Sequence, residues 1–316
     1  MRTEIPSNPA PAPATAAPAR EDPPIGLALA IAAYLMWGFL PLYMKLTQHI
    51  PVLEVLVARV IWSIPIAGAV LIWQGRTREM MRALRTPRML GMAAITAALI
   101  SLNWAIYIWA VVEGHAMDAA IGYYINPLFS VFLGAVVLRE RLSKAQWLAI
   151  ALATLAVIVL TIENGKVPLV ALSLMLTFGL YGYAKKKLPI GPNQGFMLEV
   201  LLLLPPALIY LIWLQATGQS HFLGSGPQAT YNTLLLVGCG VVTAVPLMAY
   251  GNGAKLLRLS TIGILQYIAP TIIFLIAVFL FGEPFGRGQM IAFPMIWAAL
   301  VIYTAAMIRQ ARRPRA

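Results

Sequence analysis

Polar and aromatic side chains recur inside the long apolar segments of this chain, and they are the candidates for contact with a solute. Asn103 and Tyr107 lie four positions apart, so on a helix they share one face. A polar group in hydrocarbon costs free energy unless it faces protein or water. Aromatic walls with a few amide and hydroxyl groups suit an amphiphilic metabolite better than a bare ion. The predicted substrate-binding residues are Trp37, Asn103, Tyr107, Tyr123, Asn126, Tyr181, Tyr250, Gln266 and Tyr267.

The aromatic candidates have a second explanation, because tryptophan and tyrosine are enriched at membrane interfaces. Trp104 and Trp109 fit such a belt, or plain helix packing. Pro127 and Pro270 would leave carbonyl groups one turn earlier without their usual donors. This predicts hinges at both prolines, with packing kinks as the alternative.

Two ionisable side chains, Arg59 and Glu199, fall well inside apolar segments. We predict that both act in gating or coupling, with Glu199 as a proton site. The alternative is that each side chain snorkels to a nearby membrane surface.

The sequence lacks the patterns of several enzyme classes. It has no Gly-x-x-x-x-Gly-Lys-Ser/Thr loop for nucleotide hydrolysis, and its single cysteine, Cys239, excludes intrachain disulfides and cysteine clusters. Glu113, His115 and Asp118 come closest to a catalytic set, but a solvated turn explains them more simply. We therefore predict no catalytic residue, no metal and no cofactor.

The composition places the candidate residues in a membrane. The chain has 316 residues, of which 60% are hydrophobic and 11% charged, and its mean hydropathy is +0.79. A soluble domain has about a quarter charged residues. The net charge of +12 does not indicate a nucleic-acid partner, because the basic residues cluster at alternate connections between apolar runs. Residues 1–24 are rich in proline and alanine, which predicts a disordered tail.

Apolar runs long enough to cross a bilayer recur through the rest of the chain. Ten spans place both termini on one side, and the distribution of lysine and arginine selects the cytoplasm: nineteen of these residues would then lie inside and three outside. We predict a multi-pass protein of the bacterial cytoplasmic membrane, in contact with lipid. The predicted spans are 25–44, 52–73, 89–111, 118–138, 144–162, 167–184, 193–214, 231–254, 260–281 and 288–308.

The two halves of the chain resemble each other. A shift of 143 residues aligns pairs of proline, tyrosine and glutamate, namely Pro127 with Pro270, Tyr107 with Tyr250, and Glu140 with Glu283. We predict two five-helix repeats, residues 25–164 and 165–310, followed by a basic cytoplasmic tail, 311–316. Because five is odd, the second repeat is inverted, an arrangement typical of secondary transporters with a site between the halves.

Several short blocks are similar to a known family. They are NWAIYIWAV at 103–111, IGYYINPL at 121–128, ERL at 140–142 and QYIAP at 266–270. The chain resembles the RarD proteins of the EamA branch of the drug/metabolite transporter superfamily, although Ala120 stands where a serine is expected. The resemblance implies an all-α bundle of ten transmembrane helices in two inverted repeats. It also implies a central cavity lined by helices 1, 3, 4, 6, 8 and 9, through which a small organic solute moves.

From these features we predict a secondary transporter that exports a small organic metabolite or drug-like solute by alternating access. Its partners would be the solute, membrane lipid and a coupling ion or proton, with no nucleic acid, and it would be a monomer or homodimer. A membrane-embedded enzyme and a regulatory membrane protein are the alternatives.

Overall fold

The computed structural model describes residues 22–137, 142–257 and 259–312, and every regular element in these ranges is helical. The helices are α1 (Pro24–Leu46), α2 (Val52–Trp73), α3 (Thr77–Leu84), α4 (Pro87–Val112), α5 (Ala116–Val137), α6 (Lys144–Asn164), α7 (Leu169–Lys187), α8 (Pro192–Ala216), α9 (Ala229–Leu256), α10 (Leu259–Leu265), α11 (Ile268–Leu275), a π-helical turn (Ile276–Leu280) and α12 (Arg287–Arg312).

The predicted tails differ slightly from the observed helix ends. Residues 1–21 and 313–316 lie outside the described ranges. Pro24, which we assigned to the disordered tail, is the first residue of α1, a position where the missing N–H of proline is no loss. At the other end α12 continues to Arg312, two residues into the predicted basic tail.

Within the described ranges, nine helices are long and apolar enough to cross a membrane. They correspond to nine of the ten predicted spans, with residues 261–280 acting as one span that contains most of α10, all of α11 and the π-helical turn. The remaining predicted span, 167–184, is a helix, α7, but it ends in three lysines that lower its hydropathy. The chain is therefore an all-helical membrane protein, and the count of ten stays a prediction.

Local signals in the sequence explain where individual helices begin and end. At the start of α6 the Ser143 side chain accepts a hydrogen bond from the Gln146 backbone N–H, and the Gln146 side chain accepts one from the Ser143 N–H. The same helix ends at Gly165, whose φ of 65° favours glycine. The short helix α3 buries Met80 and Ala83 and packs on α4 and α8.

Helices from the first part of the chain pack against helices from the second part. α1 packs on α9 and α11, whereas α7 packs on α4 and α5. α2 packs on α8, and α6 packs on α12. Small residues allow these approaches: a Cβ added to Gly122 of α5 would lie 2.6 Å from the carbonyl oxygen of Ala171 in α7. The helices that carry the candidate residues are thus held directly against one another.

The two predicted hinge prolines have different surroundings. Pro127 lies within α5, which continues without a break. Pro270 is the third residue of α11, after a break at residues 266–267 that separates α11 from α10. The first turn of a helix needs no intrahelical N–H donor, so Pro270 is compatible with the start of a new helix. A discontinuity in the helix therefore accompanies only one of the two prolines.

Candidate solute-binding cavity

A cavity of about 110 Å³ lies between the helices. Its walls come from α1, α2, α4, α5, α7 and α9, together with the break before α11 and the first turns of α11. The transmembrane helices 1, 3, 4, 6, 8 and 9 that the family resemblance implies correspond to α1, α4, α5, α7, α9 and the span that contains α11. All of them contribute to the wall, and α2 contributes in addition. The lining residues are Tyr34, Trp37, Leu40, Arg59, Ile100, Asn103, Trp104, Tyr107, Tyr123, Asn126, Phe178, Leu247, Tyr250, Gln266, Ala269, Pro270 and Ile273.

Aromatic rings form most of the wall. Tyr34 and Trp37 of α1 pack on Tyr250 of α9, with ring centroids 5.3–5.7 Å apart. On the opposite side the Tyr123 ring lies 5.9 Å from that of Tyr107 and 5.8 Å from that of Phe178. Aromatic pairs at such distances are stabilising, so the wall has a defined shape.

Asn103 connects three helices at the cavity. Its side-chain amide donates hydrogen bonds to the Leu174 carbonyl (3.2 Å) and the Thr177 hydroxyl (2.9 Å) of α7. Its oxygen accepts a hydrogen bond from the Tyr123 hydroxyl of α5 (3.1 Å). Asn103 is 1% exposed, and both of its N–H donors are used. It therefore orients the Tyr123 ring and has little hydrogen-bonding capacity left for a solute.

Three other polar groups of the lining have unused hydrogen-bonding capacity. The Tyr107 hydroxyl, the Asn126 side-chain oxygen and the Arg59 Nη1 are buried, and none has a hydrogen-bond partner among the described residues. An unpaired buried polar group costs about 1–3 kcal/mol, more for a charged group. Polar groups left unpaired in a cavity are the natural contacts for a ligand.

The Arg59 side chain is held in place by two contacts. Its Nε donates a hydrogen bond to the Thr243 hydroxyl of α9 (2.9 Å), and Thr243 in turn donates to the Cys239 carbonyl (2.7 Å). The guanidinium carbon lies 4.8 Å from the centre of the Trp104 ring. Arg59 is 2% exposed and forms no salt bridge with a described carboxylate. We predicted a gating or coupling residue here, and the structure places it in the cavity wall.

Two of the predicted binding residues are not among those that line the cavity. Tyr181 lies one turn beyond Phe178 on α7, and its hydroxyl donates a hydrogen bond to Glu199 of α8 (3.3 Å). Tyr267 follows Gln266 directly, in the break between α10 and α11. Gln266 borders the cavity, whereas Tyr267 packs against the hydrophobic core.

Glu199 forms an ion pair away from the cavity. The Lys185 Nζ of α7 lies 2.6 Å from its Oε1, and Glu199 is only 1% exposed. Gly195 lies one turn before Glu199, and a Cβ there would approach Lys185 Nζ to 3.2 Å. The pair joins the last turn of α7 to α8. Lys185 is one of the nineteen basic residues assigned to the cytoplasmic side, and its pairing with Glu199 was not predicted.

Of the residues considered for catalysis, two contact each other: His115 Nδ1 lies 3.5 Å from Asp118, at the start of α5. Glu113 directly follows the last residue of α4. A further carboxylate, Glu54 of α2, accepts a hydrogen bond from the backbone N–H of His221 (2.7 Å) and lies 2.8 Å from its Nδ1. No group of three metal-binding side chains is present in the described ranges.

Several lining residues were not predicted. Tyr34 lies one turn before Trp37, and Phe178 lies one turn before Tyr181, the predicted residue of α7, so helical spacing was the available signal. Trp104 was assigned to an interfacial belt or to packing; it is buried in a hydrophobic cluster, borders the cavity and contacts Arg59. In a helix that is apolar all round, periodicity alone does not distinguish a cavity face from a lipid face.

The fold agrees with comparisons to known proteins. The model of the EamA-like transporter family matches residues 24–162. An uncharacterized transporter of Vibrio cholerae is 44% identical over 288 residues, covering 91% of this chain and 94% of the relative. Protein RarD of Escherichia coli K12 is 40% identical over 288 residues, covering 91% and 96%. The chloramphenicol-sensitive protein RarD of Pseudomonas aeruginosa is 31% identical over 296 residues, covering 91% and 97%.

A solved crystal structure supports the fold. Its chain is 18% identical and superposes with a TM-score of 0.60 over 91% of this chain and 99% of the other. The apolar helices and the bacterial relatives identify a multi-pass protein of the bacterial inner membrane. The chain belongs to the RarD family of EamA-type transporters, in the drug/metabolite transporter superfamily.

Proposed function

We propose that this chain is a secondary transporter that exports a small organic metabolite or drug-like solute across the cytoplasmic membrane, without a catalytic step of its own. The observation that carries the proposal is the cavity between the two parts of the chain, with its aromatic wall and three unpaired polar groups. Transporters with internal repeats bind their solutes in such a position.

The pairing of helices supports alternating access between two inverted repeats, 25–164 and 165–310. If α7 is the counterpart of α1, and α9 and α11 are the counterparts of α4 and α5, then the contacts of α1 with α9 and α11 match those of α7 with α4 and α5. Under this correspondence each repeat would make matching contacts with the other. Exchange of their conformations would convert an outward-open cavity into an inward-open one.

The size of the cavity indicates that transport requires helix movement. Its volume of about 110 Å³ is below the ~150 Å³ of an apolar cavity that accepts benzene. One relative is named chloramphenicol-sensitive protein RarD, which suggests drug-like solutes as a class to test. A drug-like solute that is larger than this cavity would need a wider opening. The break at residues 266–267, which borders the cavity, is the proposed site of bending.

Glu199 is the proposed coupling residue. It lies outside the cavity and pairs with Lys185 at the end of α7, which the distribution of basic residues assigns to the cytoplasmic side. Both termini would then be cytoplasmic. Breaking of the pair would release the last turn of α7 from α8 on that side of the membrane. The gating role predicted for Arg59 remains a second proposal, since its position in the wall also permits direct contact with the solute.

The proposal is tested by metabolite analysis of bacterial cells with and without the chain. If the chain is an exporter, at least one small organic solute should accumulate inside cells that lack the chain, and the concentration of that solute in their medium should fall. A soluble product that appears only with the chain, without a matching change across the membrane, would favour an enzyme instead.

A further inference from the structure

Arg59 is a buried cation without a counter-ion in the described structure. Four residues of the described ranges form salt bridges with lysine, arginine or histidine, namely Glu54, Glu79, Asp118 and Glu199, and none of them pairs with Arg59. No carboxylate is among the residues that line the cavity. Removing a charge from water is costly unless it is paired and hydrogen-bonded. A charged side chain retained inside a membrane segment therefore points to a function.

The contacts of Arg59 leave one side of its guanidinium available. The Thr243 hydroxyl accepts a hydrogen bond from Nε, and the centre of the Trp104 ring lies 4.8 Å from the guanidinium carbon. Arg59 is among the residues that border the cavity, and its Nη1 is buried and has no hydrogen-bond partner in the described part of the chain. An arginine fixed in this manner presents rigid N–H donors with the geometry that suits a carboxylate.

We propose that Arg59 binds the carboxylate of the transported solute, and that this solute is a small monocarboxylate with an aromatic or apolar body. The proposal rests on the transport function proposed above and adds the chemical class of the solute. The unpaired Tyr107 hydroxyl can donate a second hydrogen bond to the carboxylate. The unpaired Asn126 oxygen can accept one from a hydroxyl or N–H of the body.

The charge of the lining selects a monoanion. Arg59 is the one charged side chain among the residues that border the cavity. The first turn of α11 lies in the same wall and adds the partial positive charge of a helix N-terminus, as in transporters with discontinuous helices. A dianion would retain an uncompensated charge in this apolar surrounding, and a cation would face Arg59 directly.

The test measures thermal stabilisation of the purified full-length chain by pairs of probes that have the same carbon skeleton, one a carboxylate and the other its neutral amide. The pairs are benzoate with benzamide and butyrate with butyramide, at neutral pH. We expect each carboxylate to bind about tenfold or more tightly than its amide, because hydrogen bonds to charged groups are the stronger ones. Equal stabilisation by acid and amide, or no stabilisation by either carboxylate, would overturn the assignment.

Variants of Arg59 test whether the preference for carboxylates comes from this side chain. Arg59→Gln should abolish the preference for the carboxylates, and Arg59→Lys should retain part of it, because lysine keeps the charge but not the planar donors. The matched control is Arg82→Gln on α3, which is exposed and does not border the cavity, and which should preserve the wild-type preference. A preference that survives in Arg59→Gln would contradict the proposal. If that variant does not fold, the comparison of probes on the wild-type chain decides.

Failure of this inference is distinguishable from failure of transport. If the solutes that differ between cells with and without the chain are neutral or cationic, the chain is a transporter and the assignment to Arg59 is wrong. If no solute differs, the proposed function itself fails.

Discussion

At the scale of single residues, two tyrosines of the cavity have different tasks. The Tyr123 hydroxyl donates its hydrogen bond to Asn103, whereas the Tyr107 hydroxyl has no partner in the described structure. Both rings line the cavity, and they pack on each other. The first hydroxyl is expected to contribute to the fold, and the second is available to a solute.

We therefore expect opposite results from two conservative changes. Tyr123→Phe should lower the free energy of unfolding by about 1 kcal/mol, because Asn103 loses a hydrogen bond. Tyr107→Phe should leave the stability of the empty protein unchanged or slightly higher, and it should weaken solute binding. Thermal unfolding in detergent and the KM for transport provide the two readouts. A loss of stability in Tyr107→Phe that equals the loss in Tyr123→Phe would contradict this division.

The pair between Lys185 and Glu199 gives a second prediction at this scale. Glu199→Gln should lower stability by about 1–3 kcal/mol, less than for a fully buried pair, because the Lys185 side chain is 23% exposed and can turn towards water. It should also reduce the dependence of transport on pH, if Glu199 couples transport to protons. The double variant Glu199→Gln with Lys185→Met removes both charges and should recover stability but not coupling. Unchanged pH dependence in sealed vesicles would exclude the coupling role.

Residue identity and spacing allowed part of the site to be predicted. Asn103 and Tyr107 were found because polar groups are conspicuous in an apolar helix, and both border the cavity. Phe178 was missed because apolar side chains suit protein, lipid and cavity alike. The pairing of Glu199 with Lys185 was also missed, since it depends on how two different helices pack.

At the scale of helices, apolar length predicted the elements well. The predicted span 52–73 coincides with α2, and the predicted span 144–162 lies within α6, which ends two residues later. What length and hydropathy did not predict was which helix breaks. Pro127 and Pro270 align in the repeat, but only Pro270 follows a break. In α5 the helix tolerates its proline, which matches the general behaviour of membrane helices, where neighbouring groups satisfy the freed carbonyl.

The difference between the prolines predicts a difference in transport. Pro270→Ala restores a backbone N–H and should favour a continuous helix through residues 259–275, so we expect slower transport with the fold retained. Pro127→Ala is the matched control: it changes the aligned residue of a helix that is already continuous, so its effect on transport should be smaller. Transport rates in vesicles, with thermal unfolding as the control for folding, check this. Equal transport rates for the two variants would contradict a role of the break at residues 266–267 in transport.

At the scale of the whole molecule, the arrangement of helices matters more than any single contact. α1 and α7 each pack against the other part of the chain, and the cavity lies between these contacts. The distribution of lysine and arginine predicts the orientation, and the two-part similarity predicts inverted repeats. The packing of α7 on α4 and α5 could not be read from the sequence, because apolar helices carry few signals that select a partner.

The central claim is that solutes pass through this cavity, and liposomes test it most directly. The full-length chain is reconstituted into sealed liposomes that are loaded with a metabolite extract from cells lacking it, and the solutes retained inside are measured over time. A second set of liposomes carries Ala269→Trp, which fills the cavity because Ala269 lines it. We predict that one or a few small organic solutes leave the wild-type liposomes and stay in those with the filled cavity. Loss of no solute, or equal loss from both sets, would contradict the account.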